Sequence, residues 1–168
     1  MTPPIALNRR QVIRLTRASV ECAPAEACGL LLGNHVGGER RVRRLTVARN
    51  LASEADQYFL DPVHLLRQEQ AVKAEGLEVL GVWHSHPAQE ACPSQLDLEG
   101  TPAGWVQLIA RVDDGVLTDL KAWDAEDGRK VEARVFMDVA PDRDAPAGPH
   151  AAELSVARWS ASSVPLEA

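Results

Sequence analysis

No run of apolar residues in this 168-residue chain approaches the roughly 20 needed to cross a bilayer. Nor does an apolar stretch follow the charged residues of the N-terminal segment, Met1 to Arg10, so a secretory signal is not expected and a cytoplasmic setting is the default. Positive charge is in deficit: 18 basic residues face 24 acidic ones, a net charge of −6. That balance argues against a nucleic-acid partner, because phosphate binding needs a cationic surface. Cysteine is scarce, with Cys22, Cys28 and Cys92 alone. An odd count without a secretory signal does not suggest a disulfide framework, and the lack of a Cys-x-x-Cys pair excludes a structural zinc ribbon. No internal repeat is present either.

What remains is an ordinary globular mixture, 45% apolar and 25% charged, long enough for one domain with one core and a short tail. Asn8 can cap a helix from about Arg9 to Cys22, with Val12, Ile13, Leu15, Ala18 and Val20 at roughly helical spacing and Pro24 as its stop. Ala27 to Gly33 reads as a buried strand, and Arg41 to Ala48 as its hairpin partner. Arg40, Arg41, Arg43 and Arg44 then read as the solvated side of an edge strand. Tyr58 to Leu60 suggests a short strand, and Asp61-Pro62 opens a helix that stops at Gly76. Leu77 to Trp83 is a further buried strand, running into His84-Ser85-His86-Pro87. Three more strands are expected at 105–112, 116–123 and 131–137, with tight turns at Asp113-Asp114-Gly115 and Asp127-Gly128. The proline-rich stretch 141–149 reads as a linker and 151–168 as a tail, with Leu154, Val156 and Trp159 as candidate anchors. The order implies an α/β domain over residues 1–140 with a mixed, mostly antiparallel sheet.

Chemistry concentrates between His84 and Asp97, in HSHPAQEACPSQLD. Side chains two apart on a strand share a face, so both imidazoles can aim at one point. Pro87 lacks a ladder donor and ends the strand there, which puts the pair at an exposed sheet end. Ser94 can cap a short helix whose first turn carries Asp97 back over the histidines. Two neutral imidazoles and one carboxylate suit zinc, and three protein ligands leave a position open for water, the mark of a catalytic site. Each fragment alone has a plainer reading: two strand histidines, or an ordinary helix cap. Their combination in one loop favours the metal.

This segment resembles the JAMM (MPN-plus) signature. His-Ser-His-Pro is followed, after seven residues from His86, by Ser94, and three further on by Asp97. Upstream, Pro24-Ala25-Glu26-Ala27-Cys28-Gly29-Leu30-Leu31-Leu32-Gly33 is similar to the family's glutamate-bearing junction. Trp83 stands where tyrosine is common. The likeness covers about residues 5–138. It implies a curved MPN (JAB)-like sheet flanked by helices, one Zn2+ per chain held by His84, His86 and Asp97, Glu26 as general base, and Ser94 as oxyanion donor. It implies a metallopeptidase that cuts a peptide or isopeptide bond at the C-terminus of a ubiquitin-like protein. The compact chain is most similar to small stand-alone prokaryotic members acting on sulfur carrier proteins. Dimers are common in the family, and nothing in the sequence sets an interface. Metal-free MPN scaffolds and zinc hydrolases of non-peptide amides are the competing readings. Cys92, between the ligands, is either a plain loop residue or an occupant of the fourth zinc position. A carrier tail adding as a strand would find candidate edges at Arg41 to Ala48 or just after Pro87.

Overall fold

In the computed structural model, which describes residues 2–126 and 129–138, Asn8 closes a capping box on α1 (Arg9–Cys22). Asn8 Oδ1 accepts from the Gln11 backbone N–H and Gln11 Oε1 accepts from that of Asn8, both at 2.9 Å. The helix α2 (Pro62–Ala74) starts as its sequence indicates, with Asp61 accepting from Val63 N–H and proline at the first helical position. No helix among the described residues is long and apolar enough to cross a membrane. The expected linker and tail at 141–168, and the Asp127-Gly128 turn, lie outside the described residues.

Eight strands form one mixed sheet: β1 (Ile5–Leu7), β2 (Cys28–Val36), β3 (Glu39–Leu45), β4 (Glu78–Pro87), β5 (Val106–Asp113), β6 (Val116–Glu126), β7 (Arg129–Ala133) and β8 (Val135–Met137). Their order is β7-β6-β5-β4-β2-β3-β1-β8, parallel at β4–β5, β1–β3 and β1–β8 and antiparallel elsewhere. The single strand expected at 131–137 is therefore two. They lie at opposite ends of the strand order, yet only Arg134 separates them. Seven inter-strand gaps of about 4.8 Å would place flat edges roughly 34 Å apart, and one residue spans about 3.5 Å. The sheet must curl until its edges approach. A buried ion pair crosses this curl, Arg40 Nη2 of β3 meeting both Asp124 oxygens of β6 at 2.8 and 2.9 Å.

This closure corrects the reading of Arg41 to Ala48 as an edge. β1 pairs with β3 at Arg40 and Arg41, and Arg40 is buried rather than wet. Three-residue strands such as β1 and β8 carry too little periodicity to be read from sequence. α1 packs Val12, Leu15 and Ala18 on one face of the sheet, against Leu31, Trp83 and Leu108 among others. α2 covers a smaller cluster on the other face, including Leu30, Val72 and Val82. Glycine is required where backbones touch: a Cβ on Gly29 would lie 1.9 Å from Thr46 O, and one on Gly81 1.9 Å from Val106 O.

Candidate metal centre

β4 pairs with β2 as far as His84 and with β5 on to Pro87, so its last residues project past the end of β2. Alternation puts Trp83 in the core on the α1 side, while Val82 packs in the cluster under α2. His84 and His86 follow the parity of Val82. Both are buried, and their Nε2 atoms lie 3.1 Å apart. Two imidazole nitrogens at about 2.0–2.1 Å from one tetrahedral zinc would be about 3.3 Å apart, so the pair has the spacing of a chelate.

The tautomer of His86 follows from its surroundings. Nδ1 stands 2.6 Å from Glu90 O, a carbonyl that can only accept, so Nδ1 carries a hydrogen and Nε2 is the nitrogen turned toward His84. His84 is wholly enclosed, and that burial drives its pKa down to about 3, with the positive form of His86 adding to it and Asp97 opposing. His84 is thus offered as a neutral donor, the form a metal takes, and His86 turns its Nε2 to the same point.

Two carboxylates flank the pair. Glu26 Oε1 is 3.6 Å from His86 Nε2, and Asp97 Oδ2 is 3.8 Å from His84 Nε2. Glu26, His84 and His86 each offer a ligand atom within 4.8 Å of the others. Asp97 enters from α3 (Gln95–Gly100), where it and Ser94 form a capping box: Asp97 Oδ2 accepts from Ser94 N–H at 2.6 Å and Ser94 Oγ accepts from Asp97 N–H at 3.2 Å. The exposed Ser94 hydroxyl is an acceptor in that bond and retains its own proton to donate.

Glu26 is 2% exposed. Burial first, then the charges of Asp97 and Asp56, push its pKa from 4.5 to about 8. A carboxyl poised near neutrality can accept and return a proton, and a cation beside it would favour its charged form. Its backbone is pinned. Glu26 N–H donates to Ala55 O, Asn50 Nδ2 donates to Glu26 O, and the next residue is clamped to β4 by Ala27 N–H to Ser85 Oγ at 2.8 Å and Ser85 N–H to Ala27 O at 2.9 Å. Ser85, on the face opposite the two imidazoles, thus holds the segment carrying Glu26 in place.

The five residues singled out by sequence, Glu26, His84, His86, Ser94 and Asp97, all lie at this end of the sheet. Cys92 has a different partner: Lys130 Nζ donates to its Sγ at 3.1 Å and to Pro93 O at 2.9 Å. Sequence reasoning missed Asn50 and Tyr58. Asn50 sits in a loop 24 residues from Glu26, and Tyr58 stacks on the His84 ring. An asparagine in a loop is too common a signal to have found it. The donor set suits zinc, given two imidazoles at chelating separation with a carboxyl group beside each.

A family model described as prokaryotic homologs of the JAB domain matches residues 9–126. Desampylase of Pyrococcus furiosus is 31% identical over 120 residues, which is 71% of this chain and 81% of that protein. A Thermus thermophilus protein named "Probable TtuB-protein conjugate cleaving protease" is 36% identical over 110 residues, 64% of this chain and 70% of its own. Among solved structures, a protein of Desulfitobacterium hafniense superposes with TM-score 0.69 at 26% identity, covering 80% of this chain and 92% of that one. One from Salinibacter ruber gives TM-score 0.59 at 32% identity, covering 86% and 95%.

Proposed function

This chain belongs to the family of prokaryotic homologs of the JAB domain, and on that premise we propose that it is a zinc metallo-isopeptidase cleaving conjugates of a ubiquitin-like protein. The observation that carries the reading is the buried imidazole pair 3.1 Å apart with a buried carboxyl 3.6 Å from it. His84, His86 and Asp97 would hold the ion. When bound, zinc supplies Lewis acidity and lowers the pKa of a water to about 7.

Glu26 takes the proton of the attacking water. As the C–O bond forms and the C–N bond breaks, it hands that proton to the departing amine. Ser94 donates its hydroxyl hydrogen to the developing oxyanion, an interaction worth about 3 kcal/mol in comparable sites. The enclosure of His84 and Glu26 keeps bulk water from competing with these groups.

The substrate class rests on the relatives' names and on the family resemblance. The bond is a peptide or isopeptide bond at the C-terminus of a ubiquitin-like sulfur carrier. An extended tail laid as an added strand beside the end of β4, past its last pair with β2 at His84, would bring its carbonyl to the site. The same reading keeps one zinc per chain and a cytoplasmic setting.

The test is intact mass measurement of a carrier bearing a C-terminal extension, and of an isopeptide conjugate, after incubation with the protein. A loss of mass that chelator and Glu26→Gln both abolish is expected. Cleavage that survives Glu26→Gln would overturn the mechanism. An intact carrier beside hydrolysed small amides would favour a hydrolase of non-peptide amides.

A further inference from the structure

A metal-binding histidine ordinarily donates its second ring N–H to a carboxylate, carbonyl or water, and that bond sets the plane of the imidazole. His86 obeys, through Nδ1 and Glu90 O at 2.6 Å. His84 does not. Its Nδ1 is buried and finds no hydrogen-bond partner among the described residues, in a residue with no exposed surface. A different contact lies against it: the Tyr58 ring stacks on the His84 imidazole, centroids 4.4 Å apart and planes inclined by 22°.

Tyr58 is itself held at three points. Its hydroxyl pairs with the side chain of Thr101, whose Oγ1 donates to Asp97 O at 2.8 Å. The residues on either side of Tyr58 are fastened by one side chain, with Asn50 Nδ2 donating to Gln57 O and Phe59 N–H donating to Asn50 Oδ1, both at 2.9 Å. Asn50 Nδ2 also donates to Glu26 O at 2.9 Å, and its Oδ1 accepts from Ala52 N–H. Both amide hydrogens and both acceptor positions of Asn50 are used. One loop thus ties the backbone of Glu26, the ring against His84, and the turn carrying Asp97.

We propose that Tyr58 is a positioning residue for the metal: its ring takes the place of the hydrogen-bond partner His84 lacks, and Asn50 holds that ring in register with Glu26. The proposal rests on the reading that His84, His86 and Asp97 hold the ion. A planar face restricts rotation of an imidazole about its Cβ–Cγ bond, the freedom an outer hydrogen bond would otherwise remove. The ring, not the hydroxyl, carries the larger share.

The experiment compares wild type, Tyr58→Phe, Tyr58→Leu and Tyr58→Met. Zinc affinity is measured by competition with a chromophoric chelator, and the visible spectrum is recorded after loading cobalt(II). Tyr58→Phe keeps the face and should bind zinc within about threefold of wild type with the same cobalt spectrum. Tyr58→Leu and Tyr58→Met lose the face and should bind roughly tenfold or more weakly, the range that loss of an outer partner costs, with an altered cobalt spectrum. Melting of each metal-free variant separates a positioning effect from general loosening, and Met preserves bulk should Leu fail to fold. If the Leu and Met variants melt like wild type and bind zinc equally well, Tyr58 has no positioning role while the metal site stands. If wild type itself takes up no zinc, or His84→Ala takes up as much, the underlying reading falls and this inference with it.

Discussion

Replacing Glu26 by glutamine should silence the site and at the same time stabilise the metal-free protein. Glu26 is 2% exposed and shares its surroundings with Asp97 and Asp56, which together with burial hold its pKa near 8 against an ordinary 4.5. Folded protein therefore keeps the proton across a range in which unfolded chain has released it. Stability from this group is fully present below pH 4.5 and is lost as pH rises toward 8. At about 1.4 kcal/mol per pH unit, the loss between pH 4.5 and pH 7 is about 3 kcal/mol. Glutamine is nearly isosteric and cannot ionise, so Glu26→Gln escapes the loss. Urea unfolding of chelator-treated wild type and variant from pH 4.5 to 8 reads the effect as a difference, in which every other titrating group cancels. The variant should gain on wild type by roughly 1 kcal/mol or more per unit through the middle of that range, while failing to cleave any conjugate. Curves that run parallel across the range would refute the reasoning, because they would mean that the carboxyl is solvated in solution.

Other outcomes follow from single contacts. Ser94→Ala should lower kcat by about a hundredfold with little change in KM, if the hydroxyl acts only as charge develops; steady-state kinetics on a fluorogenic conjugate would check this. Asp97→Asn should weaken zinc retention on dialysis, and equal retention would remove Asp97 from the ligand set. Arg40→Met strips the guanidinium from buried Asp124 and should cost about 3–5 kcal/mol in urea unfolding, whereas Arg40→Met with Asp124→Leu should recover most of it. Gly29→Ala would force a Cβ to within 1.9 Å of Thr46 O and should destabilise by about 1–3 kcal/mol, visible as a lowered Tm.

Much of the centre was legible because its signals are local. His84 and His86 share a face by strand parity, and Ser94 and Asp97 meet through a capping box, three positions apart. The long helices were legible for the same reason, with Asn8 and Asp61 capping as their types dictate. Reading failed where contacts join distant segments. Arg40, in a run of arginines, reads as a wet strand face, yet Asp124, 84 positions away, draws it into the interior. Tyr58 and Asn50 carry no motif, and their roles exist only once the loop lies against His84 and Glu26.

The order of residues by itself determined which donors could converge on a cation, since strand alternation and helix capping act over two to four positions and need no knowledge of the rest. Tertiary structure alone decided what those donors are worth. Desolvation of Glu26, the stack on His84, and the meeting of the sheet's two edges all depend on which distant surfaces exclude water from one another. Burial is a property of the whole packed chain, and no short window of sequence carries it.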